Sequence, residues 1–130
     1  MSKIIVIVLI SIVLVIGVIW KIRQSGNASY KSISAKEAFS MMQERNDVHI
    51  VDVRTPGEFT NEHIQGAVNV PLQTLEAGDF SSLPDKEATL LVYCRSGSRS
   101  ARASKLLQKQ GYSAVYDFGG INNWPYGTVR

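Results

Sequence analysis

The sequence predicts an α/β domain built round a parallel sheet and preceded by one apolar helix. Three observations carry this. From about residue 30 onward, short strand-like runs alternate with amphipathic helical stretches. One run, Thr89-Leu90-Leu91-Val92-Tyr93, is apolar after its first residue, as expected of a strand covered on both faces. Before the domain, Ile4 to Trp20 reads IIVIVLISIVLVIGVIW and carries no charge.

Taken to Ile22, the apolar run spans about 28 Å as a helix at ~1.5 Å per residue, close to the ~30 Å hydrocarbon core of a bilayer. A helix satisfies its own backbone there, whereas a lone strand cannot. Residues 1–23 are therefore read as a transmembrane anchor, with contact to lipid through residues 4–22. A secretory signal has a shorter apolar core of about 7–15 residues, although Gly26-Asn27-Ala28 offers it a small-x-small site. A buried core helix is not expected to be apolar on every face. Residues 24–29, QSGNAS, read as a polar linker, and 30–130 as the domain.

Of the 14 basic residues, Lys3, Lys21 and Arg23 flank the anchor. The remaining 11 balance 11 acidic ones, so the domain is near neutral and shows no nucleic-acid footprint. Lys21, Arg23 and Lys31 outnumber Lys3 and the terminal amine across the span. This predicts a single-pass protein of the cell membrane with its domain in the cytoplasm, the extracytoplasmic side being the alternative. A single cysteine excludes an intrachain disulfide.

Within the domain, Ser34-Ala35-Lys36-Glu37 has capping-box spacing and predicts a helix to about Arg45, with Ala38, Phe39, Met41 and Met42 on its buried face. Val48 to Val53 predicts a strand, closed by Arg54-Thr55-Pro56-Gly57. Pro56 opens a short helix to about Asn61. Ala67 to Val70 predicts a strand stopped by Pro71, followed by a short helix from Leu72 to about Ala77. After the strand at Thr89–Tyr93, Ser100 to Gln110 predicts a helix with Ala103, Leu106 and Leu107 inward and Gly111 as its stop. A last strand runs from Ala114 to Phe118 and meets Gly119-Gly120.

The single cysteine, Cys94, follows the most strand-like run. In parallel sheets, ligands lie beyond the carboxyl ends of strands. Cys94-Arg95-Ser96-Gly97-Ser98-Arg99-Ser100 sets the thiol among two cations, small donor-rich residues and a glycine able to take φ > 0. Backbone amides in such a turn, at the head of a helix, form an anion-binding nest. All these features favour a thiolate over a thiol and an oxyanion beside it. That combination predicts nucleophilic attack by sulfur. Arg95, Ser96, Gly97, Ser98, Arg99 and Ser100 are the expected anion-binding set. His49, His63 and Cys94 lack metal-ligand spacing, so no metal is expected, and no cofactor is called for.

The chain resembles the rhodanese domains, thiosulfate-type sulfurtransferases, in three motifs taken in order: Val51-Asp52-Val53-Arg54 with Glu58-Phe59 and His63 to Pro71; the loop Cys94 to Arg99; and Gly119-Gly120-Ile121-Asn122-Asn123-Trp124. Glu62 departs from the pattern, where the family often has glycine. The resemblance implies a central, mainly parallel five-stranded sheet flanked by helices. It also implies Cys94 as nucleophile, passing through a persulfide between a small anionic sulfur donor and an external thiol or protein acceptor. The single domain with an amino-terminal anchor resembles a bacterial subgroup. Asp52 and Arg54 are expected to support the loop or to form a structural ion pair. Glu58 is read alike, His63 as a hydrogen-bonded turn residue, and Asn69 and Trp124 as fastenings of loops and core.

Two alternatives belong to other classes. A membrane-tethered sulfur-relay or binding module would hold the sulfur with little turnover. A cysteine phosphatase would place five residues between Cys and Arg, whereas four separate Cys94 from Arg99.

Overall fold

A computed structural model describes residues 2–25 and 30–130. Helix α1 covers Ser2–Ser25, and its side chains from 2 to 21 are exposed. Its stretch Ser2–Lys21 is long and apolar enough to cross a membrane. Gln24 and Ser25, expected in the linker, continue this helix, and the rest of the expected linker, 26–29, lies outside the described residues.

The domain runs β1 (Lys31–Ser32), α2 (Ala35–Glu44), β2 (Val48–Asp52), α3 (Pro56–Asn61), β3 (Val68–Asn69), α4 (Leu72–Glu76), β4 (Thr89–Cys94), α5 (Ser98–Lys109), β5 (Ala114–Gly120) and a 3-10 turn at Ile121–Asn123. The strands form one sheet in the order β1-β5-β4-β2-β3, with every neighbouring pair parallel. The predicted helices and strands recur with ends shifted by a few residues. β1 is an addition: two exposed residues with no apolar alternation, made a strand by pairing with Tyr116 and Asp117 of β5.

β4 is the central strand, and all six of its residues are buried. The two-residue period of a strand sends alternate side chains to opposite faces. Leu90, Val92 and Cys94 enter a core with Val51, Leu75, Ala103, Leu107 and Tyr112. Leu91 and Tyr93 enter another with Ala38, Ile64 and Phe118. The thiol therefore sits on the α4/α5 side, at the carboxyl end of the sheet.

Two fastenings hold that end. In the first, Gly120 pairs with Cys94 after a shift in the β4–β5 register. A Cβ on Gly120 would lie 2.1 Å from the Arg95 carbonyl oxygen and 2.7 Å from Ser96 Cα, so only glycine lets the two backbones meet. The Asn122 N–H also donates to the Arg95 carbonyl at 3.2 Å. In the second, α3 begins with a capping box in which Thr55 and Glu58 exchange hydrogen bonds. The same Glu58 carboxylate takes the Arg99 guanidinium of α5 in two contacts, 2.7 and 3.1 Å long. This pairing and the Thr55 hydrogen bonds overcome partial burial and lower the Glu58 pKa from the ordinary 4.5 to about 2.

Gly120→Ala is expected to destabilise the chain by about 3 kcal/mol, the upper end for overpacking, because the obstacle is backbone; a lowered denaturant midpoint at unchanged slope checks it. The lowered Glu58 pKa fixes a second sign. The carboxylate contributes stability in full above about pH 4.5 and loses it as the pH falls toward about 2. Glu58→Gln is therefore expected to flatten stability across that window, read from thermal midpoints at stepped pH.

Candidate active site

Cys94 ends β4 with its side chain fully buried. The chain then turns through Arg95 and Ser96 and reaches Gly97 at φ 111°, ψ −15°. An L side chain rarely adopts this conformation. Gly97 there acts as the N-cap of α5, so the helix starts at Ser98, two residues before the expected Ser100. The turn brings the Gly97 N–H to 3.0 Å from Cys94 Sγ. Of the amides expected to cradle the sulfur, Gly97 is the one whose hydrogen bond to it is formed. Those of Ser98, Arg99 and Ser100 are the first-turn donors of α5, which have no acceptor within the helix.

Ser100 is buried and works from below. Its hydroxyl donates to the Gly97 carbonyl at 3.0 Å and lies 3.4 Å from that of Gly119. Gly119, at φ 86°, donates its N–H to Asp117 Oδ1 at 2.9 Å. The loop is thus clamped between α5 and the Gly119-Gly120 corner. The family resemblance singled out this corner only as a motif. Its visible signal was a glycine pair directly after a strand.

The cations divide. Arg99 is half-buried and held by Glu58. The Arg95 side chain is exposed and forms no hydrogen bond or ion pair with the described residues. Arg95 lines a small polar cleft of about 170 Å³ with Arg54, Glu58, Asn61, Glu62 and Asn122. A larger cleft of about 470 Å³, around Phe39, Trp124 and Tyr126, contains no residue of the loop.

Asp52 and Arg54 form a buried ion pair at 2.7 Å. The Asp52 carboxylate also accepts the Arg54 backbone N–H, and the guanidinium donates to the Glu62 carbonyl. Arg54 lies 5.7 Å from the Tyr93 ring centroid, and the Tyr93 hydroxyl accepts the Ile64 N–H. Burial pushes the Tyr93 phenol far above its ordinary pKa, so it stays neutral. The pair thus packs against the residue before Cys94. Asn69 donates to the carbonyls of Asp52 and Arg54. His63 Nδ1 lies 2.9 Å from the Phe59 carbonyl, and its backbone pairs with Val129. Trp124 packs on Phe39, Phe118 and Tyr126.

The arrangement offers a sulfur atom facing an amide donor, at the start of a loop that carries two arginines. A family model described as "Rhodanese-like domain" matches residues 34–125. The thiosulfate sulfurtransferase PspE of Escherichia coli is 39% identical over 75 residues, covering 58% of this chain and 72% of its own. The thiosulfate sulfurtransferase GlpE of Coxiella burnetii is 36% identical over 96 residues, covering 73% and 87%. A solved structure of "rhodanese with anions from E. coli" is 36% identical, with a TM-score of 0.58, over 64% of this chain and 98% of that one. With its sheet order, its cysteine loop and these likenesses in agreement, the chain belongs to the rhodanese-like domain family and is a rhodanese-type sulfurtransferase.

Proposed function

We propose that Cys94 carries sulfane sulfur as a persulfide, from thiosulfate or a similar anion to an external thiophilic acceptor. The observation that supports this most is the Gly97 N–H directed at Cys94 Sγ at 3.0 Å. It stabilises negative charge on that sulfur, and the first-turn amides of α5 extend the same field. In the first half-reaction the thiolate attacks the outer sulfur of thiosulfate. A Cys94 S–S bond forms, the donor's S–S bond breaks, and sulfite leaves with the electron pair. In the second, a nucleophile such as cyanide or a thiolate attacks the outer persulfide sulfur. It takes that sulfur away and the Cys94 thiolate returns. Neither half needs an oxidant or a proton relay. Arg95 to Ser100 supply the donors and charge that receive the anion. Asp52 and Arg54 support the loop only through β4.

With no second cysteine in the chain, the acceptor is another molecule. The spacing of four residues between Cys94 and Arg99 favours one sulfur atom over a tetrahedral phosphate. The helix α1 tethers the domain to the cell membrane by one span, with the domain on the cytoplasmic side.

Thiosulfate:cyanide turnover by the full chain in detergent is expected to vanish in Cys94→Ala and in Cys94→Ser; thiocyanate production equal to wild type in either variant refutes the reading. The tether has its own check. The full chain is expected in the membrane pellet after alkaline carbonate extraction, and a variant lacking residues 1–23 in the supernatant. A mature protein cleaved after the apolar run marks a signal instead. Labelling of Cys94 by an impermeant thiol reagent, expected only after cell lysis, reports the side.

A further inference from the structure

The link between the apolar helix and the sheet limits which way the domain can face. Tyr30, the residue before β1, packs against the core that holds Val92, Leu107 and Tyr112. β1 runs parallel to β5, with Lys31 level with Tyr116, and the Ile33 N–H donates to the Asp117 carbonyl at 2.9 Å. Tyr30 is therefore level with Val115, near the amino end of the sheet. Cys94 pairs with Gly120, which lies beyond Val115 along β5 by about 17 Å at ~3.3 Å per residue. The chain enters the domain at one end of the sheet and carries its thiol at the other.

The reach of the link is small. The apolar stretch ends at Lys21, and α1 continues to Ser25, about 6 Å further at ~1.5 Å per residue. From Ser25 to Tyr30 the chain spans at most about 18 Å at ~3.6 Å per residue. Tyr30 thus lies no more than about 24 Å from the end of the apolar stretch. Standing on the amino end of its sheet, the domain needs little of that reach. Inverted, with the thiol at the lipid, it must hold Tyr30 at least the ~17 Å of strand above the surface. Arg95, Ser96 and Ser98, exposed beyond Cys94, add to that height. Inversion therefore takes nearly the whole reach, and a chain held near full extension loses most of its conformations.

We propose that β1 and the link before it stand the domain on the amino end of its sheet. Cys94 then faces away from the bilayer and hands its sulfur to an acceptor in the aqueous phase, out of reach of thiols at the lipid surface. The inference rests on the readings of Cys94 as the sulfur carrier and of α1 as a membrane tether. The acceptor thiolate attacks the outer sulfur of the Cys94 persulfide. Its own S–S bond forms as the Cys94 S–S bond breaks, and the electron pair returns to the Cys94 thiolate. β1 is the orienting element. It has no apolar pattern of its own, and its pairing with β5 fixes the direction in which the chain enters.

The test uses the full chain in phosphatidylcholine vesicles that also contain a lipid with a thiol on its headgroup. Cys94 is loaded from thiosulfate labelled in its outer sulfur, and loss of the label is followed. The outward-facing fraction is the label that an impermeant soluble thiol removes, and that thiol is expected to discharge it. The headgroup thiol in the same vesicle is expected to act no faster than the same lipid in separate vesicles. A tether without orientation gives a millimolar effective concentration, about a hundredfold over a ~10 μM bulk thiol, so a same-vesicle advantage of about tenfold or more overturns the proposal. A chain lengthened by ~20 Gly/Ser residues between Asn27 and Ala28 gains a segment about 25 Å long on average, enough to invert, and is expected to acquire that advantage. If it acquires none, reach is not what withholds the lipid thiol, and the proposal is overturned. Two readouts taken before any acceptor is added separate the underlying readings. Absence of label on Cys94 removes the carrier role, and a chain that does not float with the vesicles removes the tether.

Discussion

The main-chain contact between Gly120 and the turn after Cys94 is the constraint on which the site depends. The Arg95 carbonyl occupies the position a side chain on residue 120 would need. That contact brings the last residues of β5 beneath the loop and shifts the β4–β5 register at its end. It fixes where the chain turns, and so where the Gly97 amide points. Ser100 and the Asn122 amide then close the loop from two further sides. The Asn122 hydrogen bond would not reach if the backbones stood a methyl group further apart.

The charges follow a different logic. The Asp52–Arg54 pair is fully buried and satisfied by backbone groups, so its contribution is shape. Breaking it by removing one partner leaves an uncompensated buried charge, which costs several kcal/mol, roughly 3–5. The Glu58–Arg99 pair is partly exposed and joins α3 to α5 across the loop. Its net charge is zero, so Arg99 adds less to the positive field of the site than its formal charge. A count of basic residues in the loop therefore overstates the positive charge that a ligand meets.

Much of this was legible in the sequence, and what was not has physical reasons. Alternating strand and helix patterns revealed α2, β2, α3, β4, α5 and β5 to within a few residues, because each has an apolar face or a capping signal of its own. β1 has neither; it exists through its neighbour. The early start of α5 was hidden because Gly97 caps it by conformation, with no side-chain hydrogen bond. Cys94 stood out by its surroundings. The partner of Arg99 did not, since Glu58 is 41 residues away in the chain and no local pattern links them. Arg95 and Arg99 look alike in the sequence, and only the fold tells them apart.

The backbone clamp has a further consequence. Gly97 and Gly120 set the width of the loop through main-chain geometry, while Arg95, Ser96 and Ser98 project from it as exposed side chains. Size and charge are thus recorded in separate parts of the molecule. Side-chain replacement can retune which small ion is attracted without resizing the ring that receives it. A change in loop length would have to move β5 as well.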